Sequence, residues 1–272
     1  MTKLDRLGWA AGRAFVAHGV RVGIRTNRPE VLRGLELYFP LGWKPCGGER
    51  VHHLYSLIVG GEERPNVRRY HLLYVDELRV VRTMELQDIF ALLEYDLEVY
   101  VAEQARRRVF VHAGVVGWNG RAIILPGQTR SGKSTLVAAL VRAGATYYSD
   151  EFAVIDTQGR VHPYPRPLMI RSETGELRKI PIEAMGGRAG RRPLPVGTVL
   201  LTRYRPGSAW RPRRLSTGAT VMRLLEHTLS ARSAPKQALA ALARVAGEAQ
   251  NLTGVRSDAD ELAGALLSGE ST

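Results

Sequence analysis

The sequence predicts an α/β fold with a small α+β region at its N-terminus, a strand-loop-helix core after it, and helices at its C-terminus. Strand-like and helix-like patterns are mixed up to about residue 105. A glycine-rich loop then stands between a β-rich run and an apolar helical pattern, within 121–144. We therefore expect two domains, 1–105 and 106–272.

The composition is typical of a globular chain and excludes several classes of protein. Of 272 residues, 44% are hydrophobic and 24% charged, and the single cysteine, Cys46, cannot form an internal disulfide. The apolar runs fall far short of the roughly 20 residues of a membrane span, and Asp5 is too early for a good signal peptide. We expect a cytoplasmic protein without a membrane partner.

The net charge of +13 comes mostly from arginine and favours anionic partners. The arginines are scattered rather than interleaved with stacking aromatic residues, so we expect no specific nucleic-acid binding. Nucleotides and acidic substrates remain compatible with this charge.

The first region combines strands with two helices. Alternating patterns predict strands within 20–26, 52–61 and 69–83, the last with a turn near Asp76. Apolar residues at helical spacing predict one helix after Pro29 and a long amphipathic helix over residues 85 to 105. These elements predict a small α+β unit.

A hairpin leads into the glycine loop. Two β-rich runs within 107–127 flank Asn119-Gly120, the strongest short signal for a hairpin turn. Further strand patterns lie within 159–171, where three prolines favour an edge or an irregular connection, and within 196–207.

From residue 216 onward the pattern becomes helical. We expect a first helix capped by Ser216 or Thr217, a second that begins at Pro235, and a short third helix within 257–267.

Residues 127–134 read Gly-Gln-Thr-Arg-Ser-Gly-Lys-Ser and satisfy the phosphate-loop pattern G-x-x-x-x-G-K-[ST]. Glycines let backbone N–H groups curl around phosphates, the lysine reaches the outer phosphates, and the serine hydroxyl binds Mg²⁺. The β-rich run before the loop and the helical pattern after it are the context that this motif requires. The candidate nucleotide-binding residues are Gly127, Gln128, Thr129, Arg130, Ser131, Gly132, Lys133, Ser134 and Thr135.

An acid pair, Asp150-Glu151, follows the loop at short distance. Asp150 lies 17 residues after Lys133, enough for a helix, a turn and a short strand. We expect the pair to emerge on the strand next to the loop, where a carboxylate orients Mg²⁺ or accepts a proton from an attacking hydroxyl. The alternative is that the pair caps a turn. The distant acid pair of a transporter-type ATPase needs more chain than these residues supply.

The segment 107–156 resembles the core of the HPr kinase/phosphorylase superfamily, more closely its HPr-kinase-related branch. The resemblance implies a phosphoenolpyruvate-carboxykinase-like P-loop kinase core. It also implies that His112 lies near the transferred phosphate, Ser134 holds Mg²⁺, Asp150 is the catalytic acid or base, and Glu151 assists with the metal. Lys133 completes the expected catalytic set.

The loop, the acid pair and the resemblance together indicate a kinase that uses ATP and Mg²⁺. We expect transfer of the γ-phosphate to a hydroxyl, favouring serine, of a peptide, a protein or a small molecule. A small-molecule kinase of the shikimate or gluconate type and a nucleotide-binding regulatory module remain alternatives, and homo-oligomerisation stays open. Arg171 and Arg203, at the ends of strand patterns, are candidate phosphate contacts.

Overall fold

The chain divides into two compact units, Met1–Arg106 and Arg107–Thr272. The boundary lies one residue after the one expected from the sequence. Each unit has its own sheet and its own hydrophobic core, and both are mixtures of helices and strands. The computed structural model describes residues 4–48, 50–61, 68–127, 131–171 and 177–269.

The described residues of the first unit form a six-stranded sheet with two α-helices. The strand order is β3-β1-β2-β4-β5-β6. Short 3₁₀ helices occupy Leu4–Arg6 and Glu36–Tyr38. In chain order the elements are β1 (Ala11–Ala17), β2 (Val20–Thr26), α1 (Pro29–Leu35), β3 (Lys44–Pro45), β4 (His53–Ile58), β5 (His71–Val75), β6 (Leu78–Thr83) and α2 (Leu86–Gln104).

Helix α2 covers this sheet with one apolar stripe. Ile89, Leu93, Leu97 and Val101 recur every four residues and are all buried in the same core, which is the spacing of a single helix face. The predicted long amphipathic helix is therefore confirmed.

Strand β1 was not predicted. Its sequence, Ala-Gly-Arg-Ala-Phe-Val-Ala, is rich in small residues and shows a weak strand pattern. It forms because a tight turn at His18 and Gly19, both with positive φ, folds it back onto β2 along its whole length.

The second unit contains an eight-stranded sheet, a two-stranded sheet and four α-helices among its described residues. Short 3₁₀ helices lie at Ile182–Met185 and Leu229–Ala231. In chain order the elements are β7 (Arg108–Trp118), β8 (Arg121–Pro126), α3 (Lys133–Arg142), β9 (Thr146–Ser149), β10 (Phe152–Asp156), β11 (Arg160–His162), β12 (Leu168–Arg171), β13 (Leu177–Ile180), β14 (Leu194–Tyr204), β15 (Arg213–Arg214), α4 (Thr217–Leu225), α5 (Pro235–Glu248), β16 (Gln250–Arg256) and α6 (Ala259–Ser268).

The large sheet runs in the order β11-β10-β7-β8-β14-β16-β15, with β9 also paired to β7. Strands β8, β14 and β16 are parallel, so their carboxyl ends meet at one edge. Strands β7 and β8 form the predicted hairpin, with Asn119 and Gly120 both at positive φ. The parallel edge is where an α/β sheet commonly binds ligands.

Helices cover both faces of this sheet. Ile123 and Leu125 of β8 face a core that includes α3 and α6, and Ile124 faces the opposite core, which includes α4 and α5. The alternation along β8 therefore produces a three-layer arrangement.

Three predictions about the second unit had different outcomes. The proline-rich stretch is irregular as expected, because β11 ends before Pro163 and β12 begins after Pro167. The expectation of a wholly helical C-terminal part is wrong, since β16 lies there and pairs with β14 on one side and β15 on the other. Ser216 caps α4 as predicted by accepting a hydrogen bond from the amide of Ala219.

Candidate functional site

The glycine loop joins the end of β8 to the start of α3. A Cβ at Gly127 would lie 2.6 Å from the hydroxyl of Ser131, and a Cβ at Gly132, where φ is +83°, would meet the guanidinium of Arg256. Gly132 therefore requires glycine because of its positive φ, whereas at Gly127 the obstacle is a serine hydroxyl that can rotate away. Gln128, Thr129 and Arg130, three of the predicted nucleotide contacts, lie outside the described residues.

Lys133 begins helix α3 and turns back onto the loop. Its ammonium donates a hydrogen bond of 2.7 Å to the carbonyl of Gly127, so it bridges the two ends of the loop. Burial lowers the pKa of Lys133, and the negative charges of Glu151 and Asp150 oppose that shift. The first N–H groups of α3 lack partners within the helix, which makes this end suited to an anion.

Ser134 and Asp150 meet beside the loop. The hydroxyl of Ser134 donates to Oδ2 of Asp150 over 3.2 Å, and the amide of Met169 donates to the same oxygen over 3.2 Å. Asp150 is only 5% exposed. Burial raises the pKa of Asp150, although the hydrogen bonds from Met169, Tyr147 and Ser134 act in the opposite direction.

The hydroxyl of Tyr147 is shared between Asp150 and a backbone carbonyl. It lies 3.1 Å from Oδ1 of Asp150 and 2.8 Å from the carbonyl of Arg166. A phenol has one proton, and a carbonyl can only accept, so the two oxygens compete for it. The carboxylate of Asp150 therefore accepts fewer full hydrogen bonds than its number of polar neighbours indicates.

The acid pair lies at a break in a strand. Strands β9 and β10 both run antiparallel to β7, and Asp150-Glu151 separates them. At the break, the hydroxyl of Ser149 accepts hydrogen bonds from the amides of Glu151 and Phe152. The expectation that the pair emerges on the strand beside the loop strand is wrong, because β7 lies between them. The pair still reaches the loop, through Ser134 on α3.

His112, on β7, faces Glu151 with 3.6 Å between Nε2 and Oε1. The side chains are 25% and 46% exposed, respectively. Burial lowers the pKa of His112 to about 4, and the nearby positive charges of Lys133 and His227 add to that shift. The imidazole is therefore neutral at physiological pH, and it brings no positive charge to the site.

The other predicted residues of the second unit are Thr135, Arg171 and Arg203. Thr135 is exposed on α3. Arg171 ends β12, where its backbone pairs with Leu177 in β13. Arg203, near the end of β14, is exposed and lines a groove of about 1290 Å³ that also contains Gly127 and Ser131.

No sequence signal pointed to Arg256, the last residue of β16. It is 3% exposed, and its Nη2 donates to the carbonyl of Gly132 over 2.9 Å. Among the described atoms its Nε has no hydrogen-bond partner. A guanidinium thus fixes the peptide that precedes Lys133. Only the pairing of β16 with β14 brings it there, so no local motif could have identified it.

The oxygen atoms beside the loop fit Mg²⁺. Within the described ranges, no group of three or more His, Cys, Asp or Glu side chains could hold a metal by itself. Mg²⁺ in phosphate-transfer sites needs only one or two protein oxygens, because phosphates and waters supply the others. The hydroxyl of Ser134 is a hard oxygen ligand of this kind, and the acid pair beside it offers two carboxylates, of which Asp150 lies 3.2 Å from that hydroxyl.

No protein-family model matches the chain, and no curated protein matches it at a significant level. Among the described helices, none is long and apolar enough to cross a membrane.

Proposed function

We propose that this chain is an ATP- and Mg²⁺-dependent kinase that transfers the γ-phosphate to a hydroxyl, with serine the acceptor that we favour. The observation that carries the proposal is the contact between Ser134 and Asp150, 3.2 Å apart, at the first turn of the helix that follows the glycine loop. This contact joins a phosphate-binding element to a buried carboxylate, which is the combination that phosphoryl transfer needs.

The loop and Lys133 bind the nucleotide. The ammonium of Lys133 now donates a hydrogen bond to the carbonyl of Gly127, and in the complex it would bind the outer phosphates. Arg256 holds the carbonyl of Gly132, and so the loop keeps the backbone orientation that presents amides to an anion.

Asp150 accepts the proton of the attacking hydroxyl. Its pKa is raised by burial, and a general base works best when its pKa approaches the operating pH. Ser134 and Glu151 would hold Mg²⁺, which when bound neutralises negative charge on the phosphates. His112, neutral at physiological pH, lies against Glu151 and orients it.

The β7–β8 hairpin supports a phosphoenolpyruvate-carboxykinase-like core of the HPr-kinase-related type over a shikimate or gluconate kinase. In those small-molecule kinases the loop strand normally begins the domain. Here β8 is the second strand of a hairpin whose first strand carries His112.

Labelled transfer tests the proposal. With [γ-³²P]ATP, Mg²⁺ and an extract of the native host, the protein should label an acid-stable, alkali-labile phosphoserine or phosphothreonine acceptor. Lys133→Ala should abolish labelling, because the ammonium that neutralises the phosphates is lost. The matched control is Lys236→Ala, since Lys236 is an exposed lysine on α5, outside this cluster.

Three outcomes would contradict the proposal in different ways. Labelling that survives Lys133→Ala would overturn the phosphate-loop assignment. Nucleotide binding without any labelled acceptor would favour a regulatory module. Label confined to metabolites would favour a small-molecule kinase.

The two acids should behave differently. Asp150→Asn should keep nucleotide affinity and slow transfer by about 10²-fold or more, since the proton acceptor is lost. Glu151→Gln should mainly raise the Mg²⁺ concentration needed for half-maximal rate. Mg²⁺ titrations of both variants measure this, and identical profiles would show that the division of roles is wrong.

A further inference from the structure

A groove of about 1290 Å³ opens beside the glycine loop, at the edge where β8, β14 and β16 end. We call it the basic groove and define it by Ser131, Arg203, Arg205, Arg211, Arg213 and His227. Its volume exceeds the range of about 300–1,000 Å³ that is typical of small-molecule sites. It is therefore large enough to hold a segment of polypeptide beside the nucleotide.

The groove is strongly cationic. Arg203, Arg205, Arg211 and Arg213 are all exposed, and none of them forms an ion pair with any carboxylate that the structure describes. The one carboxylate in the described lining, Glu226, is 3.3 Å from Arg223, a further arginine of the groove. These positive charges are available to an anionic ligand, and a cleft of one sign concentrates such ligands.

The backbone between β14 and β15, which carries Arg205 and Arg211, is anchored. The amide of Arg205 donates to the carbonyl of Arg256, and the amide of Gly207 donates to the hydroxyl of Ser257. Further along, Trp210 packs directly on Gly254 of β16, where a Cβ would collide with its ring. The arginines therefore project from a fixed framework, which lowers the entropic cost of binding.

The groove leads to the proposed transfer site. Gly127 and Ser131 of the glycine loop line it, and so does His227. The carbonyl of His227 accepts a hydrogen bond of 2.7 Å from the amide of His112, the residue that faces Glu151. A chain lying in the groove would pass within reach of the γ-phosphate.

We propose that the basic groove binds the phosphate acceptor, and that this acceptor is an acidic peptide segment whose carboxylates pair with Arg203, Arg205, Arg211 and Arg213. This inference rests on the proposed kinase function, which it extends by naming the substrate class. Single-stranded nucleic acid fits less well, because such grooves combine basic residues with several aromatic platforms. Apart from the imidazole of His227, Tyr204 is the one aromatic side chain of the described lining, and the guanidinium of Arg256 lies 5.7 Å from its ring.

Binding of a fluorescent peptide tests this. The full chain is titrated, with Mg²⁺ and a non-hydrolysable ATP analogue present, into a short labelled peptide with a central serine flanked by glutamates. A second peptide has glutamines in place of the glutamates. Fluorescence anisotropy should show tighter binding of the acidic peptide and weaker binding as KCl is raised.

Two neighbouring arginines provide a matched pair of variants. Arg213 and Arg214 form β15, both are exposed, and successive strand residues point to opposite faces. Arg213 lines the groove and Arg214 does not. Arg213→Glu should weaken binding of the acidic peptide by about tenfold or more, and Arg214→Glu should leave it nearly unchanged. Arg211→Glu, outside any strand, repeats the test without altering β15.

Equal affinity for both peptides, or equal losses in the Arg213 and Arg214 variants, would overturn the proposal. Tighter binding of a labelled single-stranded oligonucleotide of similar charge, with the same dependence on Arg213, would also overturn it in favour of nucleic acid. Because anisotropy needs no turnover, peptide binding without phosphorylation would sink the kinase function alone. Labelled transfer to host acceptors that is insensitive to Arg213→Glu would sink the groove proposal alone.

Discussion

At the scale of single residues, Asp150 is held where its charge is costly. It is 5% exposed, and the phenol that faces it shares its proton with the carbonyl of Arg166. Burial of a charge that is not fully compensated destabilises the folded state, and such strain concentrates at functional sites. This cost is what we expect of a carboxylate that serves the proposed chemistry rather than stability.

Asp150→Asn should raise the free energy of unfolding at pH 7 while it slows transfer. The pKa of Asp150 is higher in the folded state than in the unfolded state. The wild type therefore loses stability as pH rises from the unfolded pKa through the folded pKa. The Asn variant has no group that titrates at this position, so it does not lose this stability. The side-chain oxygen of Asn can accept the hydrogen bonds of Met169 and Ser134. Its NH₂ group can donate to the oxygen of Tyr147, which leaves the hydroxyl of Tyr147 to donate to the carbonyl of Arg166.

Urea denaturation in EDTA at a series of pH values measures this. The stability difference between the variant and the wild type should shrink as pH falls below the folded pKa. A variant less stable than the wild type at pH 7 would show that the carboxylate is stabilising.

At the scale of elements, local chemistry was predictable and distant pairing was not. Asn119-Gly120 identified the β7–β8 hairpin because a type I′ turn needs positive φ at both positions. Lys133, Ser134 and Asp150 were predictable because the motif and the short spacing bring them together. Strand β16 contains Asn251 and Gly254, lies between two helices, and forms only because β14 and β15 pair with it. Arg256 is the last residue of this strand, so its role was not predicted either.

In the turn between β10 and β11, Asp156 should change stability with pH in the direction opposite to Asp150. Asp156 is 4% exposed, and burial alone would raise its pKa. Its carboxylate accepts hydrogen bonds from His162, from the amides of Arg160 and Gln158, and from the guanidinium of Arg160. These hydrogen bonds outweigh burial and lower the pKa of Asp156 to about 2. A depressed pKa stabilises the fold above the unfolded value near 4, and this stability is lost as pH falls toward 2.

Asp156→Asn should therefore cost about 2 kcal/mol at neutral pH, and the difference should disappear near pH 2. Urea denaturation at the same series of pH values measures this. The Asp150→Asn variant serves as an internal control, because its stability should change in the opposite direction. A pH-independent loss would instead assign the effect to the geometry of the turn.

At the scale of the whole molecule, the proposed site belongs to one unit. Met1–Arg106 and Arg107–Thr272 each have a separate core, and the loop, the acid pair and the basic groove all lie in the second. Ligands that bind one unit stabilise that unit by mass action.

Calorimetry of the full chain should show two unfolding transitions, of which Mg²⁺-ATP raises one. At a nucleotide concentration of about 100 times Kd the stabilisation is about 2.7 kcal/mol, enough for a shift of several degrees. In Lys133→Ala both transitions should remain and the shift should vanish. A single transition that nucleotide shifts as a whole would show instead that the two units unfold as one.

The bond between Arg256 and Gly132 also governs the order in which the protein can mature. It joins residues 124 positions apart, and β16 must enter the sheet between β14 and β15 before it can form. During synthesis the glycine loop leaves the ribosome long before Arg256 is made, and contacts of such long range form slowly. A nascent chain therefore carries the complete phosphate-loop motif before the hydrogen bond from Arg256 to Gly132 can form. Competence to bind nucleotide should arrive late, only once nearly the whole chain has been translated and folded.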